Sequence, residues 1–145
     1  MLREDRPGGI SKKTALGVGL VAGYLLDTNA LIKWFGKFEG HEHIAHLIEK
    51  PENRLFTSII CVLEFLNGCG AEEAGLLKKI IGNGDIEVIS FNAVSQAESA
   101  AELRKKFGLK TPDAIIASAA LENNLTLVTF DADIKKKVKA VLDIY

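Results

Sequence analysis

The 145-residue chain lacks any apolar run close to the ~20 residues that span a bilayer, which excludes a transmembrane helix. Its most apolar early stretch, Ala15 to Leu26, is broken by Gly17, Gly19, Gly23 and Tyr24 and runs straight into Asp27. A basic start before a short apolar run is also the outline of a secretory signal. Here the glycines interrupt it and no spacer precedes Asp27. Cysteine is scarce: Cys61 and Cys69 have no Cys-x-x-Cys spacing and no nearby His pair. That leaves no disulfide framework and no thiolate–imidazole zinc site, only two reduced thiols. A cytoplasmic protein with no membrane partner is expected. An excess of one charge is missing too: 18 Lys and Arg against 19 Asp and Glu give −1, so no global positive field announces nucleic acid. There is no internal repeat and no low-complexity segment.

What is present suits one globular domain, with 48% hydrophobic and 26% charged residues. Residues 1–20 contain Arg-Glu-Asp-Arg-Pro-Gly-Gly and Ser-Lys-Lys without apolar periodicity, and are expected to form a flexible N-terminal extension. Val18 or Val21 would fit an alternative start codon. The domain is expected over 21–145. There, Tyr24 to Leu26 reads as a buried strand, and 29–38 and 42–50 as helices. A strand over 54–57 leads to Ser58, which can cap a helix carrying Ile59, Ile60, Val62, Leu63, Phe65 and Leu66. A helix over 71–81 stops at Gly82-Asn83-Gly84, and 86–89 is a strand. Asn92 is expected to cap a helix ending at Gly108, and Thr111-Pro112 to open the next. A strand over 125–130 follows, then a last helix turn or edge strand over 138–144. Such alternation predicts an α/β fold with a mostly parallel sheet flanked by helices.

In open sheets of this kind, ligands gather beyond the carboxyl ends of the strands. Asp27 ends the first strand and Asp131 follows the strand over 125–130. Glu64 interrupts an apolar helix, and Asp113 sits in a helix's first turn before Ala-Ile-Ile-Ala. Each acid has a plain structural role available. Asp27 can cap a helix, Asp113 suits the helix dipole, and Asp131 lies in a loop. Glu64 resists that treatment, because an unpaired carboxylate among apolar neighbours is costly to bury. Together, four carboxylates repel one another unless a cation lies between them. Oxygen donors without His or Cys point to Mg²⁺ or Mn²⁺, and such a site suits phosphodiester hydrolysis. With these acids set aside the 18 basic residues predominate, clustered at Arg104-Lys105-Lys106, Lys110, Lys135-Lys136-Lys137 and Lys139. Such runs are solvated helix faces by default and phosphate grips at most.

Four segments then resemble the PIN domain in order and spacing. These are Leu-Leu-Asp27-Thr28-Asn29-Ala-Leu, Thr57-Ser58 with Leu63-Glu64-Phe65, Leu109-Lys-Thr-Pro112-Asp113-Ala-Ile-Ile-Ala117, and Leu127-Val-Thr129-Phe-Asp131. The nearest likeness is to compact VapC-type toxins of prokaryotic toxin–antitoxin pairs, from about Tyr24 onward. The resemblance implies a three-layer fold and a Mg²⁺- or Mn²⁺-dependent endoribonuclease with no protein nucleophile. The family's acids fall on Asp27, Glu64, Asp113 and Asp131, as catalytic residues and metal ligands. Asp27 and Asp113 would be the shared ligands, while Glu64 or Asp131 would complete the shell or orient water. Asn29 and Thr129 would order the site, and Asp133 is a substitute for Asp131. An RNA substrate, a co-encoded antitoxin and a homodimer are implied as partners.

Two departures stand out: 26 residues precede Asp27, and no strongly basic surface is evident. Among competing classes, phosphatases with an aspartyl nucleophile want an acid where Asn29 stands, and receiver domains want an early acidic pair. A non-catalytic PIN-like module predicts a broken acid set, whereas this one is complete. A housekeeping RNA-processing nuclease shares the site, and small size without an added domain favours the toxin. The apolar residues Trp34, Phe35 and Phe38 offer a face for the antitoxin or the dimer contact, with the core as their default place.

Overall fold

The structure is a computed structural model and describes residues 23–145. The extension read over 1–20 and the candidate starts at Val18 and Val21 lie outside the described residues. Among the described residues, a four-stranded sheet of order β3-β2-β1-β4 is parallel throughout, with seven helices connecting and covering it. The α/β expectation holds.

β1 (Gly23–Leu26) feeds α1 (Thr28–Gly36) and α2 (His41–Ile48), and the chain returns to the sheet as β2 (Arg54–Ser58). It continues through α3 (Ile59–Gly68) and α4 (Ala71–Gly82) to β3 (Glu87–Ile89). α5 (Val94–Phe107) and α6 (Thr111–Glu122) then carry it back across the sheet to β4 (Thr126–Val128), followed by α7 (Ala132–Val138). The first half of the chain therefore builds outward on one side of β1, and the second half places β4 on the other. The strand order reverses between β1 and β4, which opens a crevice at their carboxyl ends.

Leu25, Leu26, Leu127 and Val128 are buried in the two strands at that switch point, in one core with Leu31 of α1 and Val138 of α7. α6 is the most enclosed helix: Ala114, Ile116, Ala117, Ser118, Ala119 and Ala120 are all buried. Its small side chains let neighbouring elements approach from several directions. The outer border of β4 is covered by the chain's own end, since Leu127 N–H donates to Asp143 O (2.9 Å) and Tyr145 N–H to Leu127 O (2.9 Å).

Several local expectations need correction. The last strand is Thr126–Val128 rather than 125–130. Beyond Val128, Phe130 N–H turns to Asn29 Oδ1 (3.1 Å) and Asp131 N–H to Thr129 Oγ1 (3.1 Å), so side chains replace the ladder. α5 is not capped by Asn92: Gln96 Oε1 accepts from both Asn92 N–H (2.7 Å) and Ala93 N–H (2.9 Å). The cap of α6 is Lys110, one residue before Thr111. Residues 138–144 are neither a helix turn nor a full strand; the helix α7 precedes them, and Ile144 makes one parallel bridge to Leu127. In the α1 region, Trp34 and Phe35 pack against the core, with Phe35 and Phe65 rings 5.0 Å apart, but Phe38 is 55% exposed.

Candidate active site

The crevice is lined from the two strands outward. Asp27 directly follows β1 and is the N-cap of α1, its Oδ1 accepting from Ala30 N–H at 3.0 Å. Asp131 stands after β4 and is the N-cap of α7, its Oδ1 accepting from Asp133 N–H (2.9 Å) and Ile134 N–H (3.1 Å). The plain structural role of each acid is therefore real. It also fixes one carboxylate oxygen of each to a helix start. Asp113 lies in the first turn of α6 and Glu64 in the middle of α3, the helix that Ser58 caps by accepting from Ile60 N–H (3.2 Å).

These acids feel one another. Asp27 is buried, and its carboxyl is pushed up to about 6, first by desolvation and further by the charges of Asp131 and Asp113. Hydrogen bonds from Thr129 and Ala30 work in the opposite direction. Asp113 is also held above the usual carboxylate range, by burial first and then by Asp131, Glu64 and Asp133; Lys110 opposes the shift. Asp113 is thus the acid through which the group is electrostatically linked: it feels Asp131 and Glu64, and its own charge reaches Asp27. Asp133 is less suited to be a member. Its side chain is 68% exposed and pairs with Lys137 at 3.0 Å.

Residues 24–140 match the PIN domain.

The chain belongs to the PIN domain family.

No curated protein matches it in sequence. Among solved structures, a toxin–antitoxin complex from Klebsiella pneumoniae is similar at 24% identity and a TM-score of 0.65, over 84% of this chain and 95% of that one. VapBC2 from Rickettsia felis, bound to a DNA fragment from its promoter, is similar at 24% identity and a TM-score of 0.62, over 85% and 97%. VapBC-1 from nontypeable Haemophilus influenzae is similar at 22% identity and a TM-score of 0.64, over 85% and 96%. Likenesses at this identity establish the fold.

In this PIN domain the candidate donors are carboxylate oxygens, a set that suits a hard cation such as Mg²⁺ or Mn²⁺. Among the described residues no three His, Cys, Asp or Glu side chains form a ready-made cage for an ion. Mg²⁺ does not need one: it keeps several waters and takes one or two protein carboxylates. The raised carboxyls of Asp27 and Asp113 mark where positive charge would be most welcome.

Glu64 is not an unpaired carboxylate in an apolar core. It is half-buried and accepts a hydrogen bond from Thr28 Oγ1, while Ile59, Leu63 and Leu66 of α3 are 43%, 60% and 37% exposed. Asn29 and Thr129 do bind neighbours at the site, Asn29 tying α1 to the loop after β4 and Thr129 accepting from Asp131 N–H. Two further residues were not anticipated as site partners. Thr28 is the partner of Glu64, and Thr57 Oγ1 donates to Leu26 O at 2.8 Å, locking the ends of β1 and β2 together. A hydroxyl directly after Asp27 was the available signal for Thr28.

Proposed function

We propose that this protein is a Mg²⁺- or Mn²⁺-dependent endoribonuclease, and that Asp27, Glu64, Asp113 and Asp131 form its catalytic and metal-binding set. The observation that carries the reading is the convergence of these acids at the sheet's switch point, where burial and mutual repulsion raise the carboxyls of Asp27 and Asp113. A site of that charge favours a divalent cation over emptiness. The cation, when bound, supplies activation of water and neutralisation of charge on the phosphate and leaving oxygen. Asp27 and Asp113 hold it, Asp131 completes the acid face from its capped position, and Glu64 orients from the α3 side. Asn29 and Thr129 keep the loop after β4 in register with α1.

RNA is the proposed substrate because the basic clusters adjoin this rim. The charge of Lys110 reaches Asp113, and Lys137 Nζ donates to Gly108 O at 3.0 Å. That contact brings the run over 135–139 beside the run over 104–110, in one cationic border next to the acids. Such a border suits a phosphate backbone.

The biological role proposed is that of a cytoplasmic toxin held by a co-encoded antitoxin and working as a homodimer. The similarity of fold to chains in toxin–antitoxin complexes supports this role. So does an exposed apolar line on α3, Ile59, Leu63 and Leu66, since such faces commonly serve protein contacts.

The decisive experiment is RNA cleavage with Mg²⁺ or Mn²⁺ by wild type, Asp27→Asn and Asp113→Asn. Cleavage by wild type alone, abolished by chelator, is expected. Activity that survives both substitutions or persists in chelator would sink the mechanism. No cleavage by wild type on any RNA would favour a non-catalytic binding module.

A further inference from the structure

Glu64 differs from the other acids in how it is held. Asp27 and Asp131 are fixed by the starts of their own helices, and Asp113 rides the first turn of α6. Glu64 lies in mid-helix, where no backbone N–H is free to hold a carboxylate. Among the described residues, its one hydrogen-bond partner is the hydroxyl of Thr28, the residue that follows Asp27 and begins α1.

We propose that Thr28 is a positioning residue for the acidic site: by donating to Glu64 Oε1 it fixes that carboxylate toward the cation position, coupling Glu64 to the turn that orients Asp27. The inference rests on the metal-dependent reading above.

Three observations carry it. The bond spans 36 residues and joins two different helices, so it is not a local capping contact. A glutamate in mid-helix has three rotatable side-chain bonds, and without a partner its carboxylate samples several rotamers. Thr28 also neighbours the Cys61 thiol, one turn before Glu64 on α3, so the start of α1 meets this stretch of α3 through two side chains. Residues that orient a ligand in this way commonly change metal affinity or activity by about 10–100-fold when removed.

The test compares Thr28→Val, which keeps the shape without the hydroxyl, with Thr28→Ser, which keeps the hydroxyl. Mn²⁺ affinity of the purified full chain is measured by calorimetry, alongside thermal stability and kcat and KM for RNA cleavage. Thr28→Val is expected to weaken Mn²⁺ binding by about tenfold and lower kcat by about 10–100-fold, with KM nearly constant. Thr28→Ser should restore both. In a Glu64→Ala background, Thr28→Val should change Mn²⁺ affinity no further, since the residue acts through Glu64.

Wild-type affinity in Thr28→Val, failure of Ser to restore it, or a full additional loss in the Glu64→Ala background would each overturn the proposal. If Thr28→Val does not fold, Thr28→Ala in both backgrounds carries the same comparison. A wild type that binds Mn²⁺ without cleaving RNA would remove the nuclease reading, while the affinity comparison would still judge Thr28. A wild type with no Mn²⁺ affinity would remove both.

Discussion

Two strand ends in this molecule use the same local device and arrive at different chemistry. After β1, Asp27 caps α1; after β4, Asp131 caps α7. β1 lies between β2 and β4, so Asp27 is only 3% exposed, whereas Asp131 follows a border strand and is half-buried. The capping bond is similar in both places, and burial makes the difference. Desolvation is the first cause of the raised Asp27 carboxyl, ahead of any charged neighbour. A capping aspartate thus becomes a candidate metal ligand when the fold removes its water and brings further acids near.

Substitutions at the two strand ends should differ in effect, and the largest effect should appear in catalysis. Asp27→Asn and Asp113→Asn are expected to lower RNA cleavage by about a thousandfold or more, because several kcal/mol of cation-borne stabilisation would be lost. Asp131→Asn should cost less, and Asp133→Asn should stay within about twofold, since Asp133 is exposed and paired to Lys137. Single-turnover cleavage of one defined RNA ranks the four, and an Asp133 effect as large as that of Asp131 would reverse their assignment.

Stability should move in opposite directions at the two strand ends. In the unfolded chain Asp27 ionises near 3.8, in the fold at about 6. The folded state keeps the proton over that interval. The contribution of Asp27 to stability is therefore greatest below about pH 4 and falls as pH rises to about 6. Above that, the ionised group disfavours the metal-free fold by about 3 kcal/mol. Asp27→Asn should accordingly raise the Tm of chelator-treated protein at pH 7.5, even as it abolishes cleavage. Asp131→Ala should lower it through loss of the cap, by about 1 kcal/mol. Thermal melts of both variants check this, and destabilisation by Asp27→Asn would contradict the account of its carboxyl.

The same shift sharpens the metal prediction. Mg²⁺ or Mn²⁺ should raise the wild-type Tm above pH 6 and do little at pH 5, where protons compete for Asp27. Melts across pH with and without the ion would reveal an effect that fails to grow with pH. The smallest change is expected at the rim. Lys110→Ala and Lys137→Ala should weaken RNA binding by a few-fold and flatten its salt dependence, with a slope change near 0.7 per phosphate contact.

Much of the fold was legible because strands and helices alternate with distinct periods, and both strand-end acids could be placed by counting. Boundaries were legible only where backbone and sequence agree. Gly108, at φ 67, ended α5 as its type suggests. The strand over 125–130 was overextended because the backbone beyond Val128 leaves the ladder for side-chain partners, one of them Asn29, 101 positions from Phe130. α7 was not assigned as an element because only Ile134 and Val138 among its seven residues face the core, too few to show a period. For Glu64 the apolar sequence around it suggested burial, yet half of α3's apolar positions face outward. Its real support, Thr28, is distant in sequence and visible only once α1 and α3 are packed.

The end of the chain also constrains how copies or partners can join this molecule. Leu127 has both its N–H and its C=O engaged by the final residues, so an incoming strand at β4 would first have to displace them. The opposite border is β3, three residues long, with exposed Glu87 paired to Arg54 at 3.3 Å. So short a border offers few main-chain bonds to a visitor. Neither side lends itself to a seam of continuous sheet, which protects against runaway stacking of copies. Association through helical faces, which can close on itself and stop, is the route this architecture leaves open.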